Sequence, residues 1–110
     1  MTTKFRPNPG GAQSFLNITE PTLIFLGEGL IFKVSIIVTP TAAGGVYDSA
    51  TVAGAAQSNQ LAAIPAGTLG FLDFQGSPFF TGLVVNPGTG GVLTVFCSPN
   101  YASASLSIAN

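Results

Sequence analysis

Short runs of apolar residues alternate with turn-forming residues along most of this 110-residue chain. The runs are separated by glycine, proline and asparagine, which interrupt helices and strand interiors. Many short runs spaced about 8–12 residues apart are typical of a β-sandwich or barrel. The pattern predicts strands at residues 14–19, 22–26, 30–39, 45–49, 61–64, 70–75, 79–85, 92–98 and 102–108. The alanine-rich stretch 49–64 has room for a helical turn at most, since Gly54 and Pro65 limit it.

Alternation inside residues 30–39 predicts which side chains face a core. Successive side chains of a strand point to opposite faces. The odd positions include Lys33 and Ser35, whereas every even position is apolar. The side chains that we expect to be buried are therefore Leu30, Phe32, Val34, Ile36 and Val38.

Residues 92–98 carry apolar side chains on both faces. Leu93, Val95 and Cys97 share one face, and Val92 and Phe96 lie on the other. A two-layer sandwich covers only one face of each sheet. We therefore expect Val92 and Phe96 to contact another subunit.

The strand count predicts an all-β fold. Eight or nine strands favour a two-sheet antiparallel β-sandwich with jelly-roll or related Greek-key topology, spanning residues 14–110 as one domain. Residues 1–13 contain Pro7 and Pro9, which disfavour regular structure. They predict an extended N-terminal arm that lies on a neighbouring subunit. Its expected contacts are Phe5 as an apolar anchor and the basic residues Lys4 and Arg6 that flank it.

The shortage of charge limits the possible partners. Only 6% of residues are charged, against about 25% in an ordinary domain. A monomer usually stays soluble through mixed surface charge, so we expect other subunits to cover much of this surface. Three scattered basic residues do not form the basic patch that nucleic acid requires. The most apolar stretch, 22–38, is interrupted by Glu28 and Lys33, which favours two strands over a membrane helix.

The chain has few groups that could perform catalysis. It has no histidine, the commonest general base and metal ligand. Cys97, the one cysteine, lies within a predicted strand, so we interpret it as a core residue. Asp48 and Asp73 lie beside turns and are expected to make local Asx-type hydrogen bonds or to be solvated, rather than to form a carboxylate dyad. The glycine-rich stretch 86–91 lacks the Gly-Lys-Ser/Thr ending of a phosphate-binding loop and predicts a hairpin loop. We expect no enzyme activity, no cofactor and no metal site.

Four phenylalanines cluster within ten residues of the chain. Phe71 and Phe79 are candidates for the core. Phe79 and Phe80 cannot both face one core in a regular strand, since adjacent side chains point in opposite directions. Two interpretations remain open, namely an internal cluster beneath a loop and a subunit interface that includes Phe80.

Four segments in order carry a resemblance to a known family. They are GVYD at residues 45–48, LAAIPA at 61–66, GSPFFTGLVV at 76–85 and GTGGVLTV at 88–95. From residue 44 onward the chain resembles small virion proteins of tailed bacteriophages. The resemblance implies a jelly-roll-like sandwich that decorates capsids or forms part of a tail or fibre.

The function implied by this resemblance is that of a capsid decoration, or cement, protein. Such a protein is made in the host cytoplasm, forms a homotrimer and binds across junctions of the major capsid protein on the outer surface of the virion. The alternative is a tail-fibre, spike or baseplate module that binds a receptor or carbohydrate. Without tryptophan and with two tyrosines, the chain has few residues for a sugar site.

Overall fold

The computed structural model describes residues 13–100, which form eight strands. The strands are β1 Gln13–Ile18, β2 Thr22–Leu26, β3 Gly29–Val38, β4 Gly44–Asp48, β5 Gln60–Ile64, β6 Gly70–Phe79, β7 Gly82–Asn86 and β8 Val92–Pro99. Within these residues there is no α-helix, and one 3₁₀ turn, Gln57–Asn59, lies in the alanine-rich stretch. The all-β prediction is confirmed. The predicted strand at 102–108, and the predicted arm except Gln13, lie outside the described residues.

The strands form two antiparallel sheets that pack as a sandwich. Sheet A has the order β1-β8-β3-β6, and sheet B has the order β2-β7-β4-β5. The first strand pairs with the eighth, the second with the seventh, the third with the sixth and the fourth with the fifth. One long hairpin folded over on itself gives this nested pairing. The two antiparallel four-stranded sheets form the two layers of a β-sandwich.

The core lies between the two sheets and contains residues from both. On β8 the prediction is confirmed, because Leu93, Val95 and Cys97 are all fully buried. Full burial of a leucine or valine side chain stabilises a fold by about 1.5–3 kcal/mol. The buried cluster comprises Ile31, Val34, Ile36, Val46, Ile64, Phe79, Leu83, Val85, Leu93, Val95 and Cys97.

A bulge in β3 changes which side chains face the core. Ile31 pairs with Cys97 and Lys33 with Phe96, so Phe32 is an extra residue on β3. A bulge shifts the alternation by one position, and Ile31 is therefore buried where Leu30 was expected. A second shift follows Ile36. The prediction is confirmed for Val34 and Ile36 and wrong for Leu30, Phe32 and Val38, which are partly or largely exposed.

The predicted turn at residues 76–78 lies inside β6. Gln75 and Gly76 both have positive φ angles, 55° and 81°, and they form a bulge that absorbs the extra residues opposite β3. Pro78 is accommodated because β6 is an edge strand. The single strand predicted at residues 79–85 is wrong, since Phe79 ends β6 and β7 begins only at Gly82.

The glycine-rich loop after Asn86 crosses between the sheets. It joins β7 of sheet B to β8 of sheet A, so the hairpin prediction for residues 86–91 is wrong. The reason is that both neighbours of β7, which are β2 and β4, lie in sheet B. The side-chain oxygen of Asn86 accepts a hydrogen bond from the Gly88 amide at 2.9 Å, which starts the crossing.

Every edge strand of the sandwich is irregular. The ladder shifts lie between Phe15 and Ile18 on β1, Leu23 and Phe25 on β2, Gln60 and Ala62 on β5, and Asp73 and Ser77 on β6. In each pair the edge strand carries the extra residues. Bulged edges do not present the flat row of amide and carbonyl groups that another strand needs for pairing. Association of this domain through its edges is therefore disfavoured.

Replacing Cys97 with alanine tests the packing of the core. Burial raises the pKa of the Cys97 thiol to about 12, so the group is neutral at physiological pH. We expect Cys97→Ala to lower the free energy of unfolding by about 1–2 kcal/mol, because a small void replaces the sulfur. Urea unfolding measures this change. An unchanged midpoint, or rapid reaction of Cys97 with a thiol reagent in the folded protein, would contradict the assignment.

Candidate functional site

The outer face of sheet A carries apolar side chains on all four strands. Leu16 on β1 is 68% exposed, Phe71 on β6 is 61% exposed, and Val38 on β3, which pairs with the outward-facing Val92, is 46% exposed. Val92 and Phe96 on β8 are half-buried on the same side. We use the term apolar face for these five residues and for Lys33, which lies among them. Isolated exposed apolar residues are normal, but a contiguous set on one sheet indicates a contact surface.

Lys33 lies between two aromatic rings of the apolar face. Its Nζ is 5.1 Å from the centre of the Phe71 ring and 5.2 Å from that of Phe96. A lysine ammonium at this range is attracted to the negative face of an aromatic ring. The aliphatic part of a lysine side chain can also cover apolar surface. The Lys33 side chain therefore lies within the apolar face while most of the surrounding surface stays apolar.

Asp73 lies directly opposite Lys33 on the neighbouring strand. The Asp73 carboxylate accepts a hydrogen bond from the Gln75 amide at 3.0 Å, which confirms the local Asx-type prediction for this residue. The Ser77 hydroxyl donates to the Phe74 carbonyl at 2.8 Å in the same bulge. These two hydrogen bonds stabilise the bulge in β6. The register of β3 and β6 places the Asp73 carboxylate next to Lys33, the one lysine of the apolar face.

The outer face of sheet B covers its own apolar residue. Val84 points away from the core, yet only 1% of it is exposed. Its register partners on either side are Leu23 and Tyr47. Gln60 donates a 3.5 Å hydrogen bond to the Tyr47 hydroxyl, and a side chain at Gly45 would collide with both groups. This packing distinguishes sheet B from sheet A and makes sheet A the stronger candidate for a contact surface.

Phe80 stands apart from the apolar face, in the turn between β6 and β7. The Asp48 carboxylate accepts hydrogen bonds from three successive amides, those of Phe80 at 2.9 Å, Thr81 at 2.8 Å and Gly82 at 3.3 Å. The local Asx-type prediction is wrong for Asp48. The reason is that Asp48 pairs with Leu83 across the β4–β7 ladder, which brings its side chain to the turn that enters β7.

These three bonds determine the charge state of Asp48. Partial burial acts to raise the pKa of the carboxyl, but the amide hydrogen bonds lower it further than burial raises it. The net pKa is below the ordinary value, since hydrogen bonds to the charged form favour ionisation. Asp48 therefore holds the turn as a carboxylate at neutral pH.

The structure places the predicted site residues in two locations. Val92 and Phe96 lie together on the apolar face, whereas Phe80 is 68% exposed at one end of the sandwich. The core assignment is confirmed for Phe79 and wrong for Phe71. Phe71 points outward because Leu72 packs toward the core. The candidates Lys4, Phe5 and Arg6 lie outside the described residues.

Sequence reasoning missed four members of the apolar face. They are Leu16, Lys33, Val38 and Phe71. A usable signal existed only for Phe71, since alternation through Leu72 would have placed it outside. Lys33 was interpreted only as a polar position, because its neighbour Phe96 is distant in sequence.

Two other features are absent from residues 13–100. No group of three or more histidine, cysteine, aspartate or glutamate side chains there is arranged to hold a metal ion. No helix in that part of the chain is long and apolar enough to cross a membrane. The surface features described above are therefore the candidates for function in these residues.

No protein-family model, curated protein or solved structure matches this chain. The functional argument therefore depends on the geometry and chemistry of its surface.

Replacing Asp48 with asparagine tests the clamp on the turn. We expect Asp48→Asn to lower the free energy of unfolding by about 1–2 kcal/mol, because hydrogen bonds to a charged acceptor are replaced by neutral ones. Asp73→Asn is the matched control and should cost less, since Asp73 receives one local amide bond. Unfolding in urea at neutral pH compares the two variants. Equal stability of both variants would contradict the clamp.

The same carboxylate predicts a dependence on acid. The folded-state pKa of Asp48 is lowered, so its contribution is fully present above the unfolded pKa of about 3.9. It is lost as the pH falls through the folded pKa, because protonation removes the charged acceptor. The stability difference between the native protein and Asp48→Asn should therefore shrink below about pH 4. A difference that persists in strong acid would contradict the assignment.

Proposed function

We propose that this protein is a structural virion protein of a tailed bacteriophage, a capsid decoration protein that self-associates and binds across junctions of the major capsid protein. The observation that carries the proposal is the apolar face, which extends over four strands of a chain with only 6% charged residues. The phage location comes from the sequence resemblance. The mode of action comes from the surface.

The chemistry of the apolar face favours a protein partner. Aromatic side chains such as Phe71 and Phe96 are enriched in the buried centres of protein interfaces. The Lys33 ammonium lies within 5.2 Å of the ring centres of Phe71 and Phe96. Its attraction to the two rings offsets part of the cost of removing it from water when a partner covers the face. Burying few charges keeps the desolvation cost of association low.

A second copy of the chain fits this surface. All four edges are bulged, so sheet faces rather than edges remain for association. Lys33 and Asp73 give the region one charge of each sign, which allows a second copy to provide complementary charges. Closed symmetric assemblies bury such a surface completely. The trimeric state is the expectation from the phage resemblance.

The proposed action requires no reaction. The chain has no histidine, and its single thiol is buried and neutral. A decoration protein stabilises a shell through binding energy alone, and many copies with linked contacts multiply that energy. In this proposal the binding energy comes from burying neutral polar and apolar surface of the chain at the seams between capsid subunits.

Charge introduced into the apolar face tests self-association. We expect Phe96→Glu to shift the native oligomer to a monomer, or to aggregates, in sedimentation at micromolar concentration. Val52→Glu is the matched control, because Val52 is an exposed apolar residue in the β4–β5 connection. It should leave the oligomer intact. A native protein that sediments as a monomer, or equal effects of both variants, would contradict association through this face.

Copy number tests the location on the head. Quantitative mass spectrometry of purified particles of the phage that encodes this chain gives its number of copies relative to the major capsid protein. We expect the number of copies per particle to be of the same order as the number of capsid-protein junctions in the shell. A handful of copies per particle would contradict the decoration role and favour the tail-fibre, spike or baseplate alternative. Absence from the particles would contradict both locations.

A further inference from the structure

One end of the sandwich combines an exposed aromatic residue with acidic groups. Phe80 is exposed there, and the Asp48 carboxylate holds its main chain. Glu28, between β2 and β3, is also exposed. The Glu28 carbonyl accepts a 2.8 Å hydrogen bond from the Asn100 amide, and its carboxylate accepts one of 3.4 Å from the Asn100 side chain. We call the surface formed by Glu28, Asp48 and Phe80 the acidic end.

The charges of the chain are divided unevenly between its parts. Residues 13–100 contain all four carboxylates and one lysine, which gives a net charge of −3. Residues 1–12 contain Lys4 and Arg6 and no acidic residue, which gives +2. Phe5 stands between these two cations. The segment Lys4-Phe5-Arg6 is therefore complementary to the acidic end in both charge and apolar character.

The N-terminal residues join the body at this same end. Gln13 pairs with Cys97 near the end of β8, and Pro99, Gly29 and Phe79 form one row across the next three strands. With strands about 4.8 Å apart, Gln13 lies about 16 Å from the end of β6. Glu28, next to Gly29, lies along this path.

The length of the N-terminal segment suits this distance. Eight residue steps separate Gln13 from Phe5. Pro7 and Pro9 favour extended conformations, and polyproline II geometry advances about 3.1 Å per residue, so the segment reaches about 25 Å. Phe5 can therefore reach Phe80 without any rearrangement of the strands.

We infer that Lys4-Phe5-Arg6 docks on the acidic end of its own chain, with Phe5 against Phe80 and the two cations beside Glu28. Aromatic pairs associate favourably, and a short covalent linker gives a high effective concentration of one group at the other. The rigid turn held by Asp48 presents Phe80 in one position for this contact. This inference is independent of the proposed virion function. It assigns the arm to its own body, whereas the sequence alone predicted contact with a neighbouring subunit.

Disulfide trapping tests the contact in the full-length chain. The double variant Phe5→Cys/Phe80→Cys should form an intramolecular disulfide under mild oxidation, detected by gel mobility without reductant. The matched control is Phe5→Cys/Leu69→Cys, because Leu69 is equally exposed and precedes β6 at its opposite end. We expect the first pair to react about tenfold faster, as a higher effective concentration requires. Equal rates would overturn the inference.

Two further arms separate the possible explanations. Adding Lys4→Glu and Arg6→Glu to the Phe5→Cys/Phe80→Cys variant should reduce the rate to that of the control, and an unchanged rate would show that charge does not guide docking. An equimolar mixture of the single variants Phe5→Cys and Phe80→Cys should give little cross-linking between chains. Efficient cross-linking in that mixture would overturn docking within one chain and support the neighbouring-subunit expectation.

Discussion

Two stacked sheets bury only their inner faces, and this constraint determines what the rest of the molecule must do. The core of this sandwich is built from one side of each strand, so the opposite sides need another solution. In the middle of sheet B, Val84 is almost fully covered and has Leu23 and Tyr47 as its register partners on either side, although Leu26 at the end of β2 is exposed. Sheet A leaves Leu16 and Phe71 exposed. The difference between the two faces is the basis of the functional proposal.

The edges and the faces of the sandwich have opposite properties. Bulges interrupt all four edge strands, which restricts growth by strand addition. The apolar face has few charges to resist contact. The proposed association through one face is discrete, whereas open-ended strand pairing is restricted by the bulged edges. The Asp48 clamp adds a second rigid feature by fixing the turn that carries Phe80.

Sequence patterns predicted those parts of the fold that depend on near neighbours. Alternation placed Leu93, Val95 and Cys97 in the core because β8 is regular over that stretch. It failed in β3, since the bulge at Phe32 depends on pairing with strands far away in sequence. The partners of Asp48 lie more than thirty residues further along the chain, and no local pattern indicates them. The apolar face likewise joins side chains from four separate strands, so the sequence pattern predicts only Val92 and Phe96 among its members.

The most direct test of the central claim is the reactivity of Lys33 toward an amine-acylating reagent as the protein concentration is varied. Lys33 lies among the residues of the apolar face, so covering that face should protect it. Free Nα-acetyl-lysine in the same solution provides the reference amine. We expect acylation of Lys33, relative to this free amine, to fall about tenfold as the chain associates, in line with roughly 1.4 kcal/mol of protection. A ratio that stays constant from dilute solution to the assembled oligomer would contradict association through the apolar face.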